Sequence, residues 1–246
     1  MAFFDLFLGA LAVFFATSIG SAGVFFFCRR GLMRGSYPTL LAICAGIMLY
    51  TSGEMLLGSF GEAGLLGASM SFLLGLACLF FVEKWLPHLH FAIRKKKLDD
   101  SGKKTALIAG TIAIHNIPEG FAVASAFAHS TPLGWLITAT MAAQDAPEGL
   151  LVSTPLACYG VGKYKAFFLG VFSGFIEGAA AIAGFLFLSF VSFLTPFALG
   201  FSAGAMFYVV FAELLPDSFR DGKIKAIMFL AFGAIAGFAL ATFFRI

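Results

Sequence analysis

IHNIPEG, residues 114–120, is followed by a near copy, AQDAPEG, at 143–149. Each stretch sets an amide, a glutamate and a proline inside a long apolar run, where a plain membrane helix has no use for them. The first adds His115 and the second Asp145. Around these motifs the chain is built for lipid. Of its 246 residues 60% are apolar and 12% charged, and the mean hydropathy is +0.96. A soluble domain of this size cannot hide so much apolar surface, which predicts an all-α integral membrane protein.

A span needs about 20 apolar residues. On that measure the sequence predicts eight spans in a single transmembrane domain over 1–246, at 6–28, 38–60, 63–83, 105–129, 133–157, 165–190, 194–215 and 223–244. The first begins with no basic region ahead of it, so it is expected to stay as a span rather than be cleaved as a signal peptide. The cationic residues test the count. Arg29, Arg30 and Arg34 follow span one. Lys84, Arg94, Lys95, Lys96, Lys97, Lys103 and Lys104 follow span three, Lys163 and Lys165 follow span five, and Arg220, Lys223 and Lys225 follow span seven. The other connections carry no Lys or Arg. By the positive-inside rule this alternation predicts an even number of spans with both termini outside the cytoplasm.

The one sizeable loop, expected over 84–104, contains PHLHFAIRKKKLDDSGKK. His88 and His90 could bind metal there, but two histidines make a weak metal tract. The blander reading is an amphipathic interfacial segment with topogenic charges. The basic run is short and lacks interleaved aromatics, which argues against nucleic acid as a partner. Four single cysteines, Cys28, Cys44, Cys78 and Cys158, form no CxxC pair. They read as small apolar residues rather than a zinc site or a disulfide framework.

The polar motifs converge on one level. His115 and Glu119 are four residues apart and share a face of span four, with Asn116 beside them. Gln144, Asp145 and Glu148 repeat the pattern near the middle of span five, which runs the opposite way. Span six brings Glu177 to the same depth and span two brings Met48. A lone charge at the bilayer centre costs at least about 2.5–3.5 kcal/mol on insertion scales. Four carboxylates with no Lys or Arg at that level must therefore be protonated and hydrogen-bonded or must surround cations. Histidine, carboxylate, amide and thioether groups are ligands that first-row divalent metals accept, and four carboxylates could neutralise two such ions. Pro118 removes the helix hydrogen bond to the Ile114 carbonyl, and Pro147 the one to Ala143. Freed backbone at this depth is expected to face a cavity, as at transport sites.

These residues resemble the ZIP (Zrt/Irt-like) divalent-metal transporters, in their prokaryotic, GufA-like branch. HNIPEG in span four, the second PEG motif in span five and the span-six glutamate carry the likeness. FSAGAMFYVVFAELLPDS at 201–218 is similar to that family's seventh helix. The resemblance implies an eight-helix bundle with proline-kinked helices four and five around a central binuclear site. One metal position would use His115, Glu119, Gln144 and Glu148, with Met48 as a soft ligand. The adjoining one would use Asn116, Glu119, Asp145, Glu148 and Glu177. It further implies homodimers in the plasma (inner) membrane. Two departures stand out. Gln144–Asp145 occupies a place where many relatives have His–Glu or His–Asn, and Ala212–Glu213 one where they often have His–Glu. Glu213 is then either an exit-side ligand or proton acceptor, or a cap on its helix end. Glu54, about two turns outward of Met48, would line the outer access route.

The expected activity is import of divalent metal, zinc first, with iron, manganese, cobalt and cadmium as further candidates. The metal is substrate rather than resident cofactor, and the chain is not expected to be an enzyme. Two alternatives stay open on the residues alone. One is a membrane-embedded metal-dependent hydrolase, although no HExxH stands in the sequence and no base separate from the ligands is evident. The other is an exporter or exchanger using the same site.

Overall fold

A computed structural model describes residues 2–27, 30–95 and 100–244. Within these, the side chains of 30–35, 85–95, 100–114, 159–160 and 221 are outside the description, so His88 and His90 fall outside it. The described chain is all-helical. The main helices are α1 (Ala2–Ala22), the short α2 (Val24–Phe27), α3 (Arg30–Lys95), α4 (Asp100–His129), α5 (Thr131–Leu156), α6 (Lys163–Phe190), α7 (Thr195–Val209), the short α8 (Leu215–Ser218) and α9 (Lys223–Phe244). α3 is two limbs joined at Gly64, whose backbone (φ 68°, ψ 173°) is closed to residues with a Cβ.

Five segments of the described chain are long and apolar enough to cross a membrane: Ala2–Phe27, Ser36–Lys84, Lys163–Phe190, Ser192–Ser218 and Lys223–Phe244. The second holds both limbs of α3. Of the expected spans, those of the two polar motifs are not among the five. α5 carries Gln144, Asp145 and Glu148, which lower its hydropathy, and α4 is described with side chains only from His115 onward. The stretch expected as a loop over 84–104 is largely helical, since α3 continues to Lys95 and α4 begins at Asp100. Lys, Arg and Leu are good helix formers, so a helix does not stop where its apolar run does. Nor do the motif prolines interrupt their helices: α4 is continuous through Pro118, and α5 through Pro147 and Pro155.

Small residues set the packing. A Cβ on Gly149 would overlap the Thr17 carbonyl oxygen, and one on Gly120 the Glu177 carbonyl oxygen. Backbones in contact at that range require glycine. The paired positions also give directions. α1 runs parallel to α5 (Gly9 by Thr138, Gly20 by Ala146) and antiparallel to α6 (Gly174 by Thr17, Gly178 by Ala10). α4 runs parallel to α6 (Asn116 to Ser173, Gly184 against Phe121 and Ala124). The second limb of α3 follows α7 (Gly67 by Phe197, Gly75 by Phe201), and the first limb follows α9 (Gly46 by Leu230, Gly237 by Tyr50). The helices thus fall into two groups, α1–α4–α5–α6 and α3–α7–α9. Between them lies a core that includes Met48, Met55, Met141, Leu199 and Met206.

Ser130 is the whole connection between α4 and α5. Its hydroxyl caps α5 by accepting from the Leu133 N–H at 3.3 Å, with Pro132 in the first turn. So tight a turn forces the two helices antiparallel and brings 119 opposite 144.

Candidate metal centre

The turn at Ser130 places both motifs against each other in the middle of the first helix group. Oxygens of Glu119, Asp145 and Glu148 all lie within 4.8 Å of one another. Gln144 donates its amide to Glu119 Oε1 at 3.3 Å. Glu177 of α6 adjoins them, its backbone carbonyl oxygen lying where a Cβ on Gly120 would be. Gln144 and Glu177 are wholly buried, and Glu119 and Asp145 expose 1% and 2%. Among the described residues no Lys or Arg pairs with this group.

Hydrogen bonds leave part of this set unsatisfied. Glu119 Oε2, Gln144 Oε1, Asp145 Oδ2 and Glu177 Oε1 are buried oxygens without a partner among the described residues. Buried polar atoms are otherwise paired in more than nine cases of ten. Four unpartnered acceptors, three of them on carboxyl groups, thus stand on α4, α5 and α6 at and beside this cluster, an environment suited to positive charge. Oxygen donors of this kind take divalent cations.

Over residues 94–245 the chain matches the family described as ZIP zinc transporter.

The chain belongs to the ZIP family.

Its relatives agree. The ZIP chain is 33% identical to "Zinc transporter GufA" of Myxococcus xanthus over 239 residues, covering 95% of this chain and 91% of that protein. It is 30% identical to "Zinc transporter ZupT" of Corynebacterium glutamicum over 261 residues, covering 96% of each. It is 30% identical to "Zinc transporter ZIPB" of Bordetella bronchiseptica over 259 residues, covering 96% of this chain and 79% of that one. All three are named as transporters and none as an enzyme.

Around the cluster, other expected residues of the ZIP chain divide. Asn116 is buried, and its Oδ1 accepts from Ser173 of α6 at 3.0 Å. His115 Nε2 meets Glu213 Oε1 at 2.6 Å. Glu213 reaches it from a π-helical turn, Val210–Leu214, that follows α7. π turns concentrate at functional sites because they push one side chain out of register. Met48 is buried in the core between the helix groups, one turn beyond Cys44, whose thiol points at the Gln144 carbonyl oxygen at 3.8 Å. Glu54 accepts from Tyr50 at 2.6 Å, and the Tyr50 ring packs on Gly237 and Phe238 of α9. Six residues past Met48 is a third of a turn off the Met48 face, so Glu54 lies on the α9 side of its helix. On the same side of the molecule as Glu213, Tyr208 donates to Glu83 across the α7–α3 contact.

The sequence reading missed three hydroxyl and thiol groups at the cluster: Thr17, Ser173 and Cys44. Thr17 and Ser173 are small polar residues in apolar helices. Such residues usually bond their own backbone, and nothing in one sequence sets these two apart.

Proposed function

We propose that this chain imports divalent transition-metal cations, zinc first among them, into the cytoplasm by alternating access at the α4–α5–α6 cluster. The four orphaned buried oxygens of Glu119, Gln144, Asp145 and Glu177 carry this reading. The printed names of the relatives support zinc. In this reading Glu119 and Glu148 bridge two metal positions. His115, Gln144 and Met48 complete one, and Asn116, Asp145 and Glu177 the other.

The helix directions support eight spans: α1, the two limbs of α3, α4, α5, α6, α7 with its π turn, and α9. Each parallel pair (α1 with α5, α4 with α6, the α3 limbs with α9 and α7) joins spans that the charge alternation sends the same way. The termini then lie outside the cytoplasm and the cationic connections inside, in the plasma membrane. His115 paired with Glu213 puts imidazole and carboxylate on the cytoplasmic flank of the cluster. A metal leaving inward would meet them after a shift of one helix group against the other.

The test is zinc uptake into proteoliposomes. Wild-type chain should give saturable, protein-dependent flux. Glu119→Ala and Glu148→Ala should abolish flux while inserting in normal amounts. Metal binding by the wild type without flux would overturn the transport reading, and near-normal flux in either variant would overturn the site.

A further inference from the structure

We infer that Thr17 of α1 is the positioning residue for Glu177, holding one of its carboxylate oxygens so that the other faces the metal. The inference rests on the place given to Glu177 in the proposed site. α1 carries none of the motif residues, yet it closes one wall of the cluster. Thr17 Oγ1 lies 3.4 Å from Glu177 Oε2, and both side chains are buried. The other oxygen of Glu177, Oε1, has no partner among the described residues. One oxygen beside a hydroxyl and one open is the arrangement a ligating carboxylate needs, since an outer hydrogen bond fixes its orientation and leaves a lone pair for the ion.

Thr17 is itself held in place. A Cβ on Gly149 of α5 would overlap its carbonyl oxygen, and one on Gly174 of α6 would come within 3.0 Å of its Cβ. The Ser21 hydroxyl donates to its carbonyl at 2.8 Å. α1 is therefore clamped between α5 and α6 at this residue, which fixes the Thr17 backbone beside Glu177. Its hydroxyl has one proton and two acceptors in reach, Glu177 and the Val13 carbonyl at 3.0 Å. The Val13 contact is the shorter of the two, and a Glu177 ionised beside a bound cation would draw the proton across through a charge-assisted bond about twice as strong as one to a neutral carbonyl. Val13 loses nothing essential, because its carbonyl lies inside α1 and accepts the helix hydrogen bond.

Zinc uptake into proteoliposomes tests this with Thr17→Val, Thr17→Ser, Glu177→Gln and the Thr17→Val/Glu177→Gln double variant, each measured over a range of zinc concentrations. Thr17→Val keeps the shape and removes the hydroxyl. Its KM for zinc should rise about 10- to 100-fold, the usual effect of losing an outer partner of a ligand, with a much smaller change in maximal rate. Thr17→Ser restores the hydroxyl and should return KM to near wild type. The double variant should be no worse than Glu177→Gln alone. A Thr17→Val KM equal to wild type, while Glu177→Gln is impaired, overturns the inference and leaves the site standing. A Thr17→Ser variant as impaired as Thr17→Val, or losses that add in the double variant, would show a packing role and overturn it too. Unimpaired Glu177→Gln would remove Glu177 from the site and this inference with it.

Discussion

Gln144 shows what one side chain decides. Its amide nitrogen is engaged by Glu119, and its free group is a buried carbonyl oxygen. The pocket therefore offers hard oxygen where an imidazole would offer softer nitrogen. Gln144→His is expected to raise uptake of zinc relative to manganese when the two compete in one proteoliposome assay; an unchanged ratio would show that selectivity is set elsewhere. Protons act on the same residues. Carboxylates bind metal only when deprotonated, so lowering pH removes ligands and cannot add any. The KM for zinc should rise as pH falls from about 7.5 to 5.5, and a KM that falls instead would contradict carboxylate ligation.

At the scale of elements, backbone geometry limits what can be changed. Gly64 sits between the limbs of α3 with φ 68°. A side chain there is strained by about 1–3 kcal/mol, so Gly64→Ala should lower the unfolding temperature in detergent without touching the cluster. Gly120 is constrained for another reason, the Glu177 carbonyl lying where its Cβ would be. Gly120→Val should cost about 1–3 kcal/mol by overpacking, and by forcing α4 from α6 it should cut zinc uptake as well. Stability lost with uptake intact would show that the α4–α6 seam is not part of the site. The prolines do less than their place suggests. With both helices continuous, each removes one hydrogen bond rather than breaking a helix.

At the scale of the molecule, the proposed topology can be read from outside. A single cysteine at position 2 in an otherwise cysteine-free chain should react with a membrane-impermeant maleimide in intact cells, and one at position 165 should not. The reverse pattern would invert the orientation. The all-helical membrane class was legible beforehand from the apolar runs, and charge that is costly in lipid drew notice to particular residues. Glu119, Asp145, Glu148 and Glu177 could be picked out for that reason. The tie between His115 and Glu213 could not. It spans 98 positions and depends on an irregular turn that no periodicity announces. Thr17 was hidden differently, since a threonine is cheap in a membrane helix and draws no notice until its neighbour across the interface is known. The helical stretch reaching Lys95 was missed because apolar run length marks the lipid boundary and not the end of a helix.

The wide turn at Val210–Leu214 behaves like a splice. It holds one residue more than an α-helix would use there. Deleting Ala212 would let the helix heal with its flanks in phase, leaving α7 and α8 where they are. What would change is the direction of Glu213, which lies inside the turn and now meets His115. The pairing of Glu213 with His115 thus hangs on a single inserted residue while the rest of the helix does not.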